Sequence, residues 1–282
     1  MGTYQHPIAS TLEVRPRQVD FHFPADLPRH WYNDNPYITH FLNALSAVFP
    51  EGERFFIETV RHYQPQIKDP ALSKDIRGFI GQEAHHGNQH EEFNQLVERH
   101  GLPMGRIGAY VKRSMARTRE FLTPEQRLAI TIALEHFTAI LAHQVLSDPA
   151  FTKPAPETIR NLFLWHAIEE TEHKAVAFDV YRAIGGSEKV RRIAMVRTTF
   201  FFLLHIFAFQ MILLWKDGFP LRPRKFWEAT NFLLGKPGLF RRIVPDYLAY
   251  YRKDFHPWEQ DNRNLISDWK QRFAGVAASI LA

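Results

Sequence analysis

Residues Asn161–Tyr181 read NLFLWHAIEETEHKAVAFDVY. On a helix, His166, Glu170 and His173 fall at i, i+4 and i+7, one above another on a single face. Leu162, Phe163 and Ala177 share that face. Two imidazoles and a carboxylate on the inward stripe of an amphipathic helix are costly to bury without a partner. A metal ion is the simplest partner, and the rest of the chain can be searched for further ligands.

Glu170 and His173 form a Glu-x-x-His pair, and Glu83 and His86 in Gly81–His86, GQEAHH, form a second. With 15 His among 282 residues, one such pair means little. Two gain weight if two lone Glu residues sit on inward faces elsewhere, because a di-metal bundle takes one Glu from each of two helices and a Glu-x-x-His from each of the other two. Glu135 lies within ITIALEHFTAILA (Ile130–Ala142), where an ionised carboxylate needs a strong partner. Glu53 shares a face with Phe49, Phe56, Ile57 and Val60. Blander readings stay open: Glu53 as a first-turn carboxylate favoured by the helix dipole, Glu135 paired to an Arg or His, His166 as a satisfied core histidine. His85, His90 and His143 are expected around the site or on the surface, and Glu169 and Glu172 on the outer face or behind the ligands.

Around these positions the pattern is helical throughout, and the fold class is all-α. Pro36 opens a run with apolar residues at helical spacing that Pro50 is expected to break or kink. Asp69-Pro70 starts a long helix that Gly101 closes. A basic helix spans Met104–Phe121. Thr123-Pro124-Glu125-Gln126 is a capping box leading a helix to Ser147. The quoted stretch belongs to a helix from about Pro156 to Ile184. Helices are then expected over Lys225–Leu234, Leu239–Arg252 and Trp258–Leu281. This divides the chain into an arm (1–35), a metal-binding bundle (36–186) and a C-terminal helical extension (187–282).

Composition narrows the chemistry. Without any Cys, disulfides, thiolate-bound zinc, iron–sulfur clusters and a thiol nucleophile are excluded. His and carboxylate ligands suit iron, manganese or zinc. The net charge of +5 comes without a nucleic-acid motif, so no nucleic-acid partner is expected, and a solvated surface or an anionic membrane face is the better match. Met1–Asp20 has no apolar signal-peptide core, which gives a cytoplasmic expectation. Thr199–Trp215, TFFFLLHIFAFQMILLW, is apolar but slightly short of the roughly 20 residues of a span. A buried or surface-inserted helix, with peripheral membrane contact, is the leading expectation and a true span the alternative. A homodimer is compatible with the sequence.

EGERFF, GQEAHHGNQH, LEHFTAILAH and WHAIEETEHKAVAFDVY resemble the bacterial family described as predicted metal-dependent hydrolases, related to ferritin-like di-iron proteins; the likeness covers about Val14–Tyr250. The His-x-x-x-Glu-x-x-His of His166, Glu170 and His173 is also similar to arylamine N-oxygenases. The resemblance implies a ferritin-like four-helix bundle with a di-metal centre. It adds His166 as a third histidine to Glu53, Glu83, His86, Glu135, Glu170 and His173, with His90 and His143 supporting them. One departure is Ala139, where some ferritin-like monooxygenases place a Thr. The leading expectation is a di-iron oxygenase that uses O₂ and an electron donor on a hydrophobic or lipid-like small molecule. A hydrolase with a dinuclear metal-activated water and a non-catalytic metal-binding protein are the alternatives.

Overall fold

The computed structural model describes residues 12–236, 238–269 and 271. Among them there is no strand. The helices are α1 (Pro36–Tyr63), α2 (Pro70–Arg99), α3 (Met104–Phe121), α4 (Pro124–Ser147), α5 (Glu157–His173), α6 (Val176–Ala183), α7 (Glu188–Lys216), α8 (Pro223–Leu234) and α9 (Leu239–Ala249). Their starts follow from local chemistry. The Asn35 side chain accepts from the Tyr37 and Ile38 amides, Asp69 from Ala71, and Ser187 from Val190. Thr123 and Gln126 close a reciprocal capping box. Pro36, Pro70 and Pro124 occupy first helical positions, where a missing N–H costs nothing.

Helix α1 pairs with α2 and α4 with α5, and further contacts between α1 and α4 and between α2 and α5 close these four into a bundle. Apolar stripes meet in its interior, where Phe55, Ile76, Phe79, Leu128 and Ala133 are inaccessible to solvent. Helix α7 lies against α1 and α4, and α3 against α1. Residues of the arm join a second apolar cluster: Phe21, Leu27, Trp31 and Tyr32 are buried with Phe41, Leu45 and Phe93. The arm lies directly on α2 because Gly78 and Gly81 carry no side chains. A Cβ on Gly78 would stand 2.0 Å from the Val14 carbonyl oxygen, and one on Gly81 would stand 2.4 Å from Pro16 Cγ.

Four sequence expectations need correction. Pro50 does not interrupt α1, which continues to Tyr63. Proline at that position removes the N–H that would bond the Ser46 carbonyl; the Asn94 side-chain amide donates to that carbonyl instead, at 3.0 Å. The helix carrying the quoted stretch is split, α5 ending at His173 and α6 starting at Val176. At the break the Lys174 ammonium donates to the Gln260 carbonyl and to Asn262 Oδ1 and lies over the Trp258 ring. α9 stops at Ala249, and the helix expected over Trp258–Leu281 begins later, at residue 263; beyond 271 the expectation lies outside the described residues.

Two helices, α4 and α7, are long and apolar enough to cross a membrane. α4 is a core helix. α7 buries only 28% of its most apolar window.

Candidate metal centre

Four helices of the bundle converge their carboxylates and imidazoles at one buried place. Glu53 comes from α1, Glu83 and His86 from α2, Glu135 from α4, and His166, Glu170 and His173 from α5. None is more than 5% exposed. One ligand atom each from Glu53, His86 and His166 lie within 4.8 Å of one another, and so do single atoms of Glu83, Glu135, Glu170 and His173. Glu170 joins the two groups: its Oε1 is 2.9 Å from His166 Nε2, 3.4 Å from His86 Nδ1 and 3.5 Å from His173 Nε2. Gly87 makes room for Glu53, whose Oε2 would be 3.1 Å from a Cβ there.

Surrounding hydrogen bonds determine which nitrogen of each ring is free. The Asn94 amide nitrogen donates to the Ser46 carbonyl, so its Oδ1 accepts the Ser46 hydroxyl at 2.8 Å. Ser46 Oγ must then accept from His90 Nδ1, 2.9 Å away. Burial, reinforced by the neighbouring imidazoles, holds the His90 pKa well below its usual value, so the ring is neutral and its Nε2 is an acceptor. That acceptor takes the proton of His166 Nδ1 at 2.7 Å. Burial, followed by the charge on His86, lowers His166 to about 4. Its Nε2 therefore presents a lone pair toward Glu170 and Glu53.

His173 is set the same way. Gln82 Nε2 donates to the Arg15 carbonyl and to Glu172, leaving Gln82 Oε1 to accept from His173 Nδ1 at 2.9 Å. His173 Nε2 then faces Glu83 at 3.0 Å and Glu135 at 3.6 Å. His86 has Nε2 3.2 Å from Glu169 and Nδ1 3.4 Å from Glu170. Behind these residues Arg17 grips Glu172 with two 2.7 Å bonds and Glu169 with one of 3.0 Å.

The donor set fits a cation, and the buried polar atoms show why. Among the described residues, both oxygens of Glu53, Glu83 and Glu135, both nitrogens of His86, Glu170 Oε2 and His173 Nε2 find no hydrogen-bond partner. Such atoms are rare in a native interior unless something binds them. Burial, then the charge of neighbouring carboxylates, pushes the pKa values of Glu53, Glu83 and Glu135 up. Burial opposes a charge on His173, yet Glu170 and Glu83 outweigh it and raise its pKa well above the usual value. The cluster thus seeks positive charge between its carboxylates and imidazoles, and a metal supplies it without a proton.

The structure therefore brings together all seven residues singled out as ligands. His90 stands directly behind His166. His143 does not belong: it bonds the Asn262 side chain, in the C-terminal segment. His85 follows the helix about 100° round from His86 and stays half-buried outside the cluster. Glu169 and Glu172 are buried supports, not outer-face residues. Arg17, Gln82, Ser46 and Asn94 were missed. Gln82 could have been found from its place beside Glu83, one helical turn from His86, whereas Arg17 sits in a stretch without periodicity. A further cluster, His30, His40 and Asp217, is already satisfied. Arg29 holds one oxygen of Asp217, and the two imidazoles hold the other at 2.6 and 3.1 Å.

A cavity of about 640 Å³ ends on Glu53, His166 and Glu170. Its walls are mainly apolar, with Phe41, Leu45, Phe49, Leu134 and Leu141 among them. No curated protein and no solved structure matches the chain. A family model described as a predicted metal-dependent hydrolase matches residues 15–261. With that match and this buried set of metal-ligand side chains, the chain belongs to that metal-binding family.

Proposed function

We propose that the protein is a dinuclear metalloenzyme that oxidises an apolar small molecule with O₂, with iron as the best-matched metal. The observation that carries this reading is the cavity: an apolar space reaching the Glu53, His166 and Glu170 side of the centre and no other ligand. Glu53, His86 and His166 would hold one ion and Glu83, Glu135 and His173 a second, with Glu170 within reach of both groups. Four carboxylates balance two divalent cations, which makes the filled site neutral apart from the Arg17 layer. Two ferrous ions with His and carboxylate ligands supply O₂ activation when electrons are delivered by a donor.

The chain's own residues would do the rest. Ser46, Asn94 and His90 hold the His166 lone pair in line, and Gln82 does so for His173. Phe49 packs edge-to-face on His90 and on His166, with centroids 4.7 and 4.9 Å away, and keeps water from that side. The apolar walls place a carbon chain beside the open side of the centre and exclude competing solvent.

The family description favours a second reading, hydrolysis of an ester or phosphoester by metal-activated water. In that reading the metal itself lowers the pKa of the water, and a neighbouring imidazole would only assist. His90, the nearest imidazole beyond the ligands, has both nitrogens committed, to Ser46 and to His166. Anaerobic loading with iron(II) followed by O₂ separates the two. Oxidation predicts a transient visible absorption and consumption of O₂. A silent spectrum at full occupancy, with ester turnover by the zinc or manganese form in the absence of O₂, would assign hydrolysis. Metal binding without turnover of either kind would leave a storage or sensing role.

A further inference from the structure

Helix α7 is apolar on both sides. Its inner side, with Met195, Ile206, Phe209 and Leu213, belongs to the protein core. Its outer side carries Ile193, Val196, Phe200, Leu204, Phe207 and Trp215, each between 47 and 62% exposed. These follow one another at three-, four- and eight-residue steps and form one stripe, about 33 Å long at 1.5 Å per residue. Past α7, Leu221 (91% exposed) and Trp227 (67%) also stand open to solvent. Exposed apolar surface that extends this far marks an interaction site.

Charge identifies the partner. From Lys189 to Lys216 the helix has no Asp or Glu, and basic residues stand at both ends and within it: Lys189, Arg192, Arg197 and Lys216. The neighbouring α3 is joined to it by the bond between Tyr110 Oη and His205 Nε2 at 3.0 Å. α3 carries Arg106, Lys112, Arg113, Arg117 and Arg119 against the single acid Glu120. An apolar stripe with aromatic residues and a basic surround complements an anionic lipid surface. A span is a poor match, because a helix with half its circumference packed into the bundle cannot be surrounded by lipid.

The cavity opens on this same face. Tyr110, Arg117, Phe121, Ile193, Arg197 and Phe201 line its outer end, and Phe121 is 76% exposed. We infer that α7, with the start of α8, seats the protein in the surface of an anionic bilayer, so that an amphiphile with an acidic head and an apolar tail passes from the membrane into the cavity, tail first, its head held by Arg117 and Arg197. The substrate part of this inference rests on the reading of the centre given above. The docking part does not, and the two fail separately.

The test uses full-length protein and sedimentation with two kinds of vesicle, phosphatidylcholine alone and phosphatidylcholine mixed with phosphatidylglycerol. The protein is expected to sediment with the anionic vesicles, less so as salt rises, with a blue shift of tryptophan emission from Trp215 and Trp227. A triple variant Phe200→Ser, Phe207→Ser, Trp215→Ser should lower the partition coefficient at least about tenfold while keeping wild-type helicity and metal content. Wild-type protein that stays in the supernatant overturns docking, and so does a triple variant that binds as well as wild type. A dimer that the triple variant dissociates, without vesicle binding, also overturns it in favour of a second copy. Resistance of the wild type to carbonate extraction overturns it in favour of a span. If docking holds but vesicle lipid never perturbs the metal-loaded centre's spectrum, the substrate part falls alone.

Discussion

His90 Nε2 stands 2.7 Å from His166 Nδ1, between a hydroxyl on one side and the buried carboxylates on the other. Its neutral ring can take the His166 proton only on the side away from Glu170. Replacing His90 with Phe removes that acceptor but keeps a ring of similar size. The expected result is a 10- to 100-fold loss of metal affinity, roughly the usual cost of losing a supporting partner. Competition with a chromogenic chelator measures it. Unchanged affinity would mean that His166 orients itself.

Arg17 reaches in from the arm and pairs with two buried carboxylates, Glu169 and Glu172. Its side chain is 32% exposed while Glu169 and Glu172 show none. Arg17→Met should lower stability by about 2–3 kcal/mol, somewhat less than for a fully enclosed pair. Arg17→Lys keeps the charge but loses the two-pronged grip on Glu172, and should recover part of the loss. Denaturant unfolding of both variants decides, and equal losses would show that charge contributes nothing.

Gly78 gives a different handle on the same arm. Its α-carbon faces the Val14 carbonyl so closely that alanine cannot fit without moving the arm. Gly78→Ala is expected to cost about 1–3 kcal/mol although alanine is the better helix former. Thermal unfolding followed by circular dichroism reads the sign. A stabilised variant would show that the arm yields freely.

Asp217 ties the carboxyl end of α7 to Arg29, His30 and His40. Burial pushes its carboxyl up, but these three groups outweigh it and hold the pKa down to about 2. An unfolded aspartate titrates near 3.9. The folded state therefore binds the proton less readily, and Asp217 stabilises the fold fully above about pH 4. That contribution fades as the pH falls toward 2. Asp217→Asn should be less stable than wild type at pH 6, with the gap closing between pH 4 and 2. A gap that does not change with pH would remove Asp217 from the account of acid stability.

The convergence of the seven candidate ligands was legible because helices are periodic. Once Glu83 with His86 and Glu170 with His173 lie at helical spacing on apolar faces, the inward direction follows, and Glu135 inside ITIALEHFTAILA is confined to the same interior. What supports the ligands was not legible. Arg17 meets Glu172 across 155 positions, from a stretch with no period to reveal its direction. Ser46 and Asn94 lie 48 positions apart, and each alone is an unremarkable polar residue on a helix. His143, expected around the site or on the surface, finds its partner in Asn262, from a segment whose placement no local pattern indicates. The exposed side of α7 was foreseen as an apolar run, but which half faces out depends on how α1 and α4 pack against it.

Pro50 looks like a flaw in α1, yet the vacancy it leaves in the hydrogen-bond ladder is what captures the Asn94 amide and gives the whole relay its direction. Pro50→Ala would restore the helical N–H and let α1 reclaim its own carbonyl. Asn94 could then turn over, and Ser46 and His90 would lose their fixed polarity. A substitution that touches no ligand would thereby loosen the centre, through a proton order inherited from one absent hydrogen.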